Sequence, residues 1–368
     1  MSKRTLRVVL GLGMLLVVAP VVSAQTDDIS DLTGKATFSA DEQDRLQKAI
    51  DGVLDRVVAG TDNRLVDAAR KQLIDMVQSS RSTEEFKALA AKLIVKQATA
   101  KMANPILVYK NRLALAIVIA QMQEPDSVSL LLRLLGGEGP EGERYAGVRY
   151  WAAKGLAGKA VSEAIVQGRA PEPMRKVLAD LEKVLMREKD GICVGAMLEA
   201  VAALGTDAAT DVMIRAAADK ARTLNLGNRD AAESMRAAVV ILEGVYRNDI
   251  RPISEVKQPI VGVMAQILAQ TPPHGDGLTL IAAINEALGR LTGETTGLGE
   301  AVAKCRDQAN RLEPKVIDGV WLEQLNWIET LLRLDKQGKK ELRLKQRPVL
   351  LDWSPAKSAE VAAKSVNR

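Results

Sequence analysis

Residues able to do chemistry are few in this chain, and they stand apart. His274 is the only histidine, in Thr271-Pro-Pro-His-Gly-Asp-Gly277, a Pro/Gly-rich stretch that reads as an interhelical loop. A Ser-His-Asp triad would have to use it. His274 and Asp276 would supply two metal ligands, but no other histidine or paired cysteine stands at ligand spacing. Cys193 and Cys305 lie among apolar or small residues and read as buried thiols. A disulfide between them is the alternative, and it requires Cα atoms within about 7 Å. Ser254-Glu-Val-Lys257 and Ser354-Pro-Ala-Lys357 both spell Ser-x-x-Lys, a pattern used by exported penicillin-interacting enzymes, yet the supporting S-D-N and K-T-G elements are absent. Gly293-Glu-Thr-Thr-Gly-Leu-Gly299 is glycine-rich but lacks the Lys-Ser/Thr of a phosphate loop. The acidic residues show no spacing that singles out an acid/base pair. The expectation is therefore no catalytic site, no cofactor and no metal, and a protein that is not an enzyme.

The elements that would position such residues can be read from composition and pattern. Hydrophobic residues make up 47% of the 368 and aromatics only 3%, which suits close-packed helices better than a β-sandwich or barrel. Lys3, Arg4 and Arg7 precede an apolar run from Val8 to Val22, and Val22-Ser23-Ala24 offers small residues for cleavage before Gln25. This predicts a cleavable export signal over 1–24, and a mature protein that is periplasmic or extracellular without a transmembrane span. An uncleaved anchor is the competing reading, against which the run is short for the roughly 20 apolar residues of a span. The full chain has 51 basic and 46 acidic residues, and three of the basic ones belong to the signal. A further basic surplus of five lies in 335–368, so the body between is slightly acidic and carries no electrostatic footprint for nucleic acid.

Helical signals run along that body. Ser39-Ala-Asp-Glu42 and Ser82-Thr-Glu-Glu85 are capping-box patterns, and Asn104-Pro105 offers an N-cap followed by proline at the first helical position. Leu107 to Met122 is apolar enough to be largely buried. Ile192 to Leu204 has Glu199 as its only charge, so it needs neighbours on several sides. Pro259 should start or kink the helix through Ile260 to Ile267. The longest irregular insertion is Gly136 to Glu143. Glycines at 158, 205, 244 and 289 are expected to close successive helices, at intervals near the 40–47 residues of two-helix repeats.

Tyr145-Ala-Gly-Val-Arg-Tyr-Trp-Ala-Ala-Lys-Gly-Leu-Ala-Gly158 resembles the second helix of a HEAT repeat, in the wider armadillo-like family. In that family a Leu-rich first helix is followed by an acidic turn residue, then a Val-Arg pair and Ala and Leu in the second helix. Asp126 to Leu135 matches the first helix, Glu143 the acidic turn position, Val148 and Arg149 the pair, and Ala152, Ala153, Leu156 and Gly158 the remainder. The long Gly136–Glu143 turn departs from the pattern. Val177–Leu185 with Ile192–Gly205, Val212–Ala221 with Met235–Tyr246, and Ile260–Leu268 with Leu278–Gly289 look like looser units. The resemblance implies an all-α, right-handed solenoid of antiparallel helix pairs with an extended protein-binding face.

Read without the family, Tyr145, Val148, Ala152 and Leu156 form one stripe, Gly155 permits close approach, and Arg149 and Lys154 fall off the stripe. Arg149 is either a ligand-facing cation or an internal partner for Glu143 and neighbouring turns, and the internal role is favoured. Tyr150 has no packing role in this pattern and is a candidate partner contact. Trp353 is another, placed to dock on the body or on a partner.

The expected organisation is a signal over 1–24, a flexible lead-in over 25–38, N-terminal helices over 39–104 and HEAT-like repeats over 105–293. Capping helices over 294–334 and a basic tail over 335–368 complete it. The function this favours is an exported protein-interaction or scaffold module for a protein partner of unknown identity. The alternatives are a lyase-like enzyme or small-ligand binder on an α-solenoid, and a membrane-surface adaptor acting through the tail.

Overall fold

The computed structural model describes residues 29–136, 145–248, 256–272 and 275–292, and these are all helix, turn and loop. The expected export segment over 1–24, Glu143, His274, Cys305, Trp353, both Ser-x-x-Lys serines, the expected capping helices over 294–334 and the basic tail over 335–368 lie outside the described residues.

The first helices start at their capping residues. Ser39 accepts from the Glu42 amide while the Glu42 carboxylate accepts from the Ser39 amide, and this reciprocal box opens α1 (Ala40–Ala59). Asp62 caps α2 (Asn63–Gln78). The cap of α3 (Glu84–Met102) is Thr83, one residue beyond the expected Ser82. Thr83 is held there because its hydroxyl accepts from the Phe86 amide and donates to the Lys35 carbonyl. That second bond belongs to a correction. The stretch expected to be a flexible lead-in is packed from Ile29 onward, with Leu32 fully buried and the Phe38 ring against Phe86. Two apolar residues in a polar, aperiodic segment are enough to pin it, and periodicity does not detect them.

The next helix, α4 (Tyr109–Met122), starts at Tyr109 rather than Pro105. Asn104 instead accepts the Ile106 amide in an Asx turn. Every residue from Ala114 to Ala120 is buried. There follow α5 (Val128–Leu135), α6 (Ala146–Ala157), α7 (Lys159–Val166), α8 (Met174–Arg187), α9 (Gly191–Ala203) and α10 (Asp207–Thr223). The described chain ends with α11 (Arg229–Asn248), α12 (Lys257–Gln270) and α13 (Gly277–Thr292). Pro259 sits in the first turn of α12, where its missing N–H is harmless. Short α7 was not foreseen as a separate helix. Gly158 and Gly205 do end helices, but Gly244 and Gly289 lie inside α11 and α13. Val245, Tyr246 and Leu291 still pack on the core, and that packing carries the helices past their glycines.

Packing follows two rows. In one, α4 lies on α6, α6 on α9, α9 on α11 and α11 on α13; in the other, α5 lies on α8, α8 on α10 and α10 on α12. Rungs join the rows, α5 to α6, α8 to α9, α10 to α11 and α12 to α13, while α1, α2 and α3 pack on one another and on α4. One hydrophobic cluster extends from Leu32 to Ala287, so no break in the core falls at the expected 104/105 boundary. Glycine sets the closest approaches within the first row. A Cβ on Gly155 would stand 3.1 Å from Ala120 Cα of α4, and one on Gly191 would stand 2.6 Å from the Asp230 carbonyl carbon in the first turn of α11. As expected, α9 is covered on several sides, with Cys193 through Leu198 all buried.

Candidate functional site

Two arrangements stand out, one buried and one open. The buried one is built on the α8–α9 turn, Glu188-Lys189-Asp190. The Glu188 carboxylate receives Arg149 Nε at 2.6 Å and Nη2 at 3.1 Å, together with the Lys189 and Asp190 amides at 3.0 Å each. The Glu188 backbone carbonyl accepts from Lys220 Nζ at 2.8 Å, and the same ammonium donates to the Met186 carbonyl at 3.0 Å. Lys220 of α10 thus caps the negative end of α8 with a full charge. Asp190 accepts the Cys193 amide at the start of α9, and the Cys193 thiol lies 3.1 Å from the Ala146 carbonyl of α6. The Ser234 hydroxyl of α11 contacts the carbonyls of Gly191 and Asp230.

Electrostatics in this knot follow from burial and pairing. Burial opposes the charge on Arg149, but the Glu188 carboxylate outweighs it and holds the guanidinium above its ordinary value. Burial pulls the Lys220 ammonium down, against the opposing charges of Asp219 and Glu188. The Cys193 thiol is pushed up to about 12 by burial and then by the Asp190 and Glu188 carboxylates. At neutral pH it is a protonated thiol, unsuited to nucleophilic work. The groups named here engage one another, and the arrangement ties α6, α8, α9, α10 and α11 together.

The open arrangement lies along the first row. A groove of about 500 Å³ between α2, α4 and α6 has Ile74, Ile117 and Trp151 on its walls and Asp67, Arg70 and Lys71 at its rim. A second groove of about 500 Å³, between α9, α11 and α13, is walled by Val240, Ile241 and Ala283 and rimmed by Glu199, Glu233 and Arg236. Between them Lys154 Nζ of α6 meets Glu199 of α9 at 2.6 Å. Further along, Glu243 of α11 accepts from Arg290 of α13 at 2.7 and 2.8 Å and from Arg247 at 2.6 Å. The Arg290 hydrogen bonds hold the Glu243 carboxyl below the usual carboxylate range.

The residues singled out in the sequence distribute between the two. Val148, Ala152 and Leu156 are buried. Arg149 is also buried, although the stripe put it outside, because α6 is covered by α9 as well as by α4 and α5. Its carboxylate partner is Glu188, while Glu143 lies outside the described residues. Gly158 closes α6 in an extended conformation, and a Cβ there would strike the Gln123 side chain. Tyr150 is half-buried and stands edge-on to Trp151, with ring centroids 5.5 Å apart, so it has a packing role. Glu188, Asp190 and Lys220 were not foreseen. The one signal for Glu188 and Asp190 was the charged Arg187-Glu-Lys-Asp190 run directly before an apolar helix, and Lys220 had none.

Among the described residues, no three His, Cys, Asp or Glu side chains gather closely enough to hold a metal ion, and no helix is long and apolar enough to cross a membrane. No protein-family model matches this chain, and no curated protein matches it.

Proposed function

We propose that this protein is an exported, non-catalytic HEAT-like repeat module, a right-handed α-solenoid of antiparallel helix pairs, whose first helix row binds a protein partner. The observation that carries the reading is the pair of grooves along that row, each lined by both apolar and charged side chains. Apolar walls give a peptide side chain somewhere to bury, and rim charges set its register. The repeat reading draws support from several side-chain contacts that span 43 to 48 residues. Ser234 reaches back 43 residues to Gly191, Lys154 forward 45 to Glu199, Cys193 back 47 to Ala146, and Gln266 back 48 to Ala218. A stack of two-helix units repeats its contacts at one unit length.

The test uses the chain from Gln25, immobilised and exposed to an envelope fraction, alongside Val240→Asp and Lys71→Glu. The expected result is one reproducible protein partner, lost in at least one variant, with both melting temperatures unchanged. Capture that persists in both variants overturns the groove reading. Recovery of a bound small molecule without a protein partner favours the ligand-binding alternative.

A further inference from the structure

The α3–α4 connection carries large apolar side chains into water on a rigid support. Ile106 is 84% exposed, and Val108 and Tyr109 are exposed beside it. The loop is held from several directions. Asn104 accepts the Ile106 amide, Leu107 is a buried plug, and Arg112 donates to the Met102 and Asn104 carbonyls. Tyr109 is fixed by stacking on Tyr145, with centroids 5.2 Å apart and planes 9° from parallel. The first turn of α2 adjoins, because Lys110 Nζ bonds the Thr61 carbonyl and lies 3.5 Å from Asn63 Oδ1. That turn adds Leu65, which is 65% exposed. Four exposed apolar residues thus lie on the adjoining starts of α2 and α4 and the loop before α4.

Cations outnumber carboxylates around them. Residues 60–65 and 103–112 contain Arg64, Lys110 and Arg112 against a single carboxylate, Asp62, which is occupied in capping α2. The start of α4 has no side-chain cap, so although the Asn111 amide bonds the Val108 carbonyl, the positive end of the helix dipole at this place is not neutralised by a capping side chain. Aliphatic side chains on a protruding loop, an aromatic residue at their base and a cationic rim are the components of an interfacial membrane contact. A groove-shaped protein surface would be needed to receive this finger, whereas a bilayer needs no complementary shape, and its anionic headgroups match the cations and the open helix start.

We infer that this face, at the starts of α2 and α4, docks on an anionic lipid surface, with Ile106 and Val108 entering the acyl boundary and Arg64 and Lys110 meeting phosphate headgroups. The grooves of the first row would then be presented to a partner from a membrane-bound support. The test is flotation of the chain from Gln25, so that residues 8–22 cannot partition by themselves, with vesicles of equimolar phosphatidylglycerol and phosphatidylcholine. The expected result is binding that falls about tenfold or more in Ile106→Ser/Val108→Ser, as loss of two buried aliphatic groups requires. Melting temperatures check that the variant is folded. A second measurement is independent of loss of binding. An environment-sensitive fluorophore on Ile106→Cys, in a Cys305→Ser background, should shift to the blue when vesicles are added. No binding by the unmodified chain overturns the inference. So does unchanged binding of the double variant with no fluorescence shift, which would assign any binding to another segment. A concentration-dependent blue shift without vesicles would assign the patch to a second copy of the chain and also overturn it.

Discussion

Two ion pairs leave the same helix and have the same length, yet they differ in kind. Arg149–Glu188 and Lys154–Glu199 both join α6 to the helix pair that follows, and both have N···O distances of 2.6 Å. The Arg149 and Glu188 side chains are 10% and 6% exposed, whereas those of Lys154 and Glu199 are 37% and 41% exposed. Distance therefore does not rank them. In the buried pair, water cannot replace a lost partner, and Glu188 also holds two backbone amides at the start of α9. In the half-exposed pair, water competes for both ions, and each gives up side-chain freedom to meet the other. The first fastens α6 to the α8–α9 turn, and the second lies on a surface that the proposed partner would have to rearrange.

The largest effect should come from breaking the buried pair on one side. Glu188→Ala removes the carboxylate that buried Arg149 engages with two hydrogen bonds and frees two backbone amides, and should cost roughly 3–5 kcal/mol in chemical denaturation. Arg149→Ala should fall in the same range. Replacing both with apolar residues of similar volume, as Arg149→Met with Glu188→Leu, should recover much of the loss, because the pair repays little beyond its own desolvation. If Glu188→Ala destabilised no more than a typical surface substitution, the distinction between the two pairs would collapse.

A smaller effect tests the close approach that lets the knot form. Gly191 opens α9 directly against the backbone at Asp230, and backbone cannot rotate away as a side chain can. Gly191→Ala should cost about 1–3 kcal/mol as overpacking, although alanine favours helix. Gly52 of α1 meets nothing within 4 Å, and the same substitution there should be neutral or stabilising. Equal behaviour of the two variants in thermal unfolding would remove the steric account of Gly191.

These contrasts also mark how far the sequence could be read. Helix content and the burial of α4 and α9 were legible, because long apolar runs and capping residues are local signals. Gly155 was legible as a contact point, since a glycine within an apolar helical stripe leaves room for a neighbour. Arg149 was legible as an internal cation, but its partner was not. The carboxylate lies 39 residues on, in a turn that reads as an ordinary polar connection. Lys220 was invisible for the same reason, since a lysine on an amphipathic helix looks solvated until the neighbouring turn closes over it. The grooves were out of reach as well, because they are made where three helices meet. The anchored Leu32 and Phe38 show the opposite failure, where two apolar residues without period hold a segment that composition alone marks as loose.

The smallest effect belongs to the exposed pair, and it decides whether the first row is a surface or a seam. A double-mutant cycle over Lys154→Ala and Glu199→Ala should give a coupling of about 0.2–1 kcal/mol, weakened further by salt. The Lys154 ammonium sits above its ordinary value chiefly because Glu199 accepts its hydrogen bond, so a coupling exists to be measured. A value approaching that of the Arg149–Glu188 pair would mean that the α6–α9 edge is desolvated and belongs to the core. A small value leaves Lys154 and Glu199 free to exchange each other for a partner's charges at little cost, as a binding face between two grooves requires.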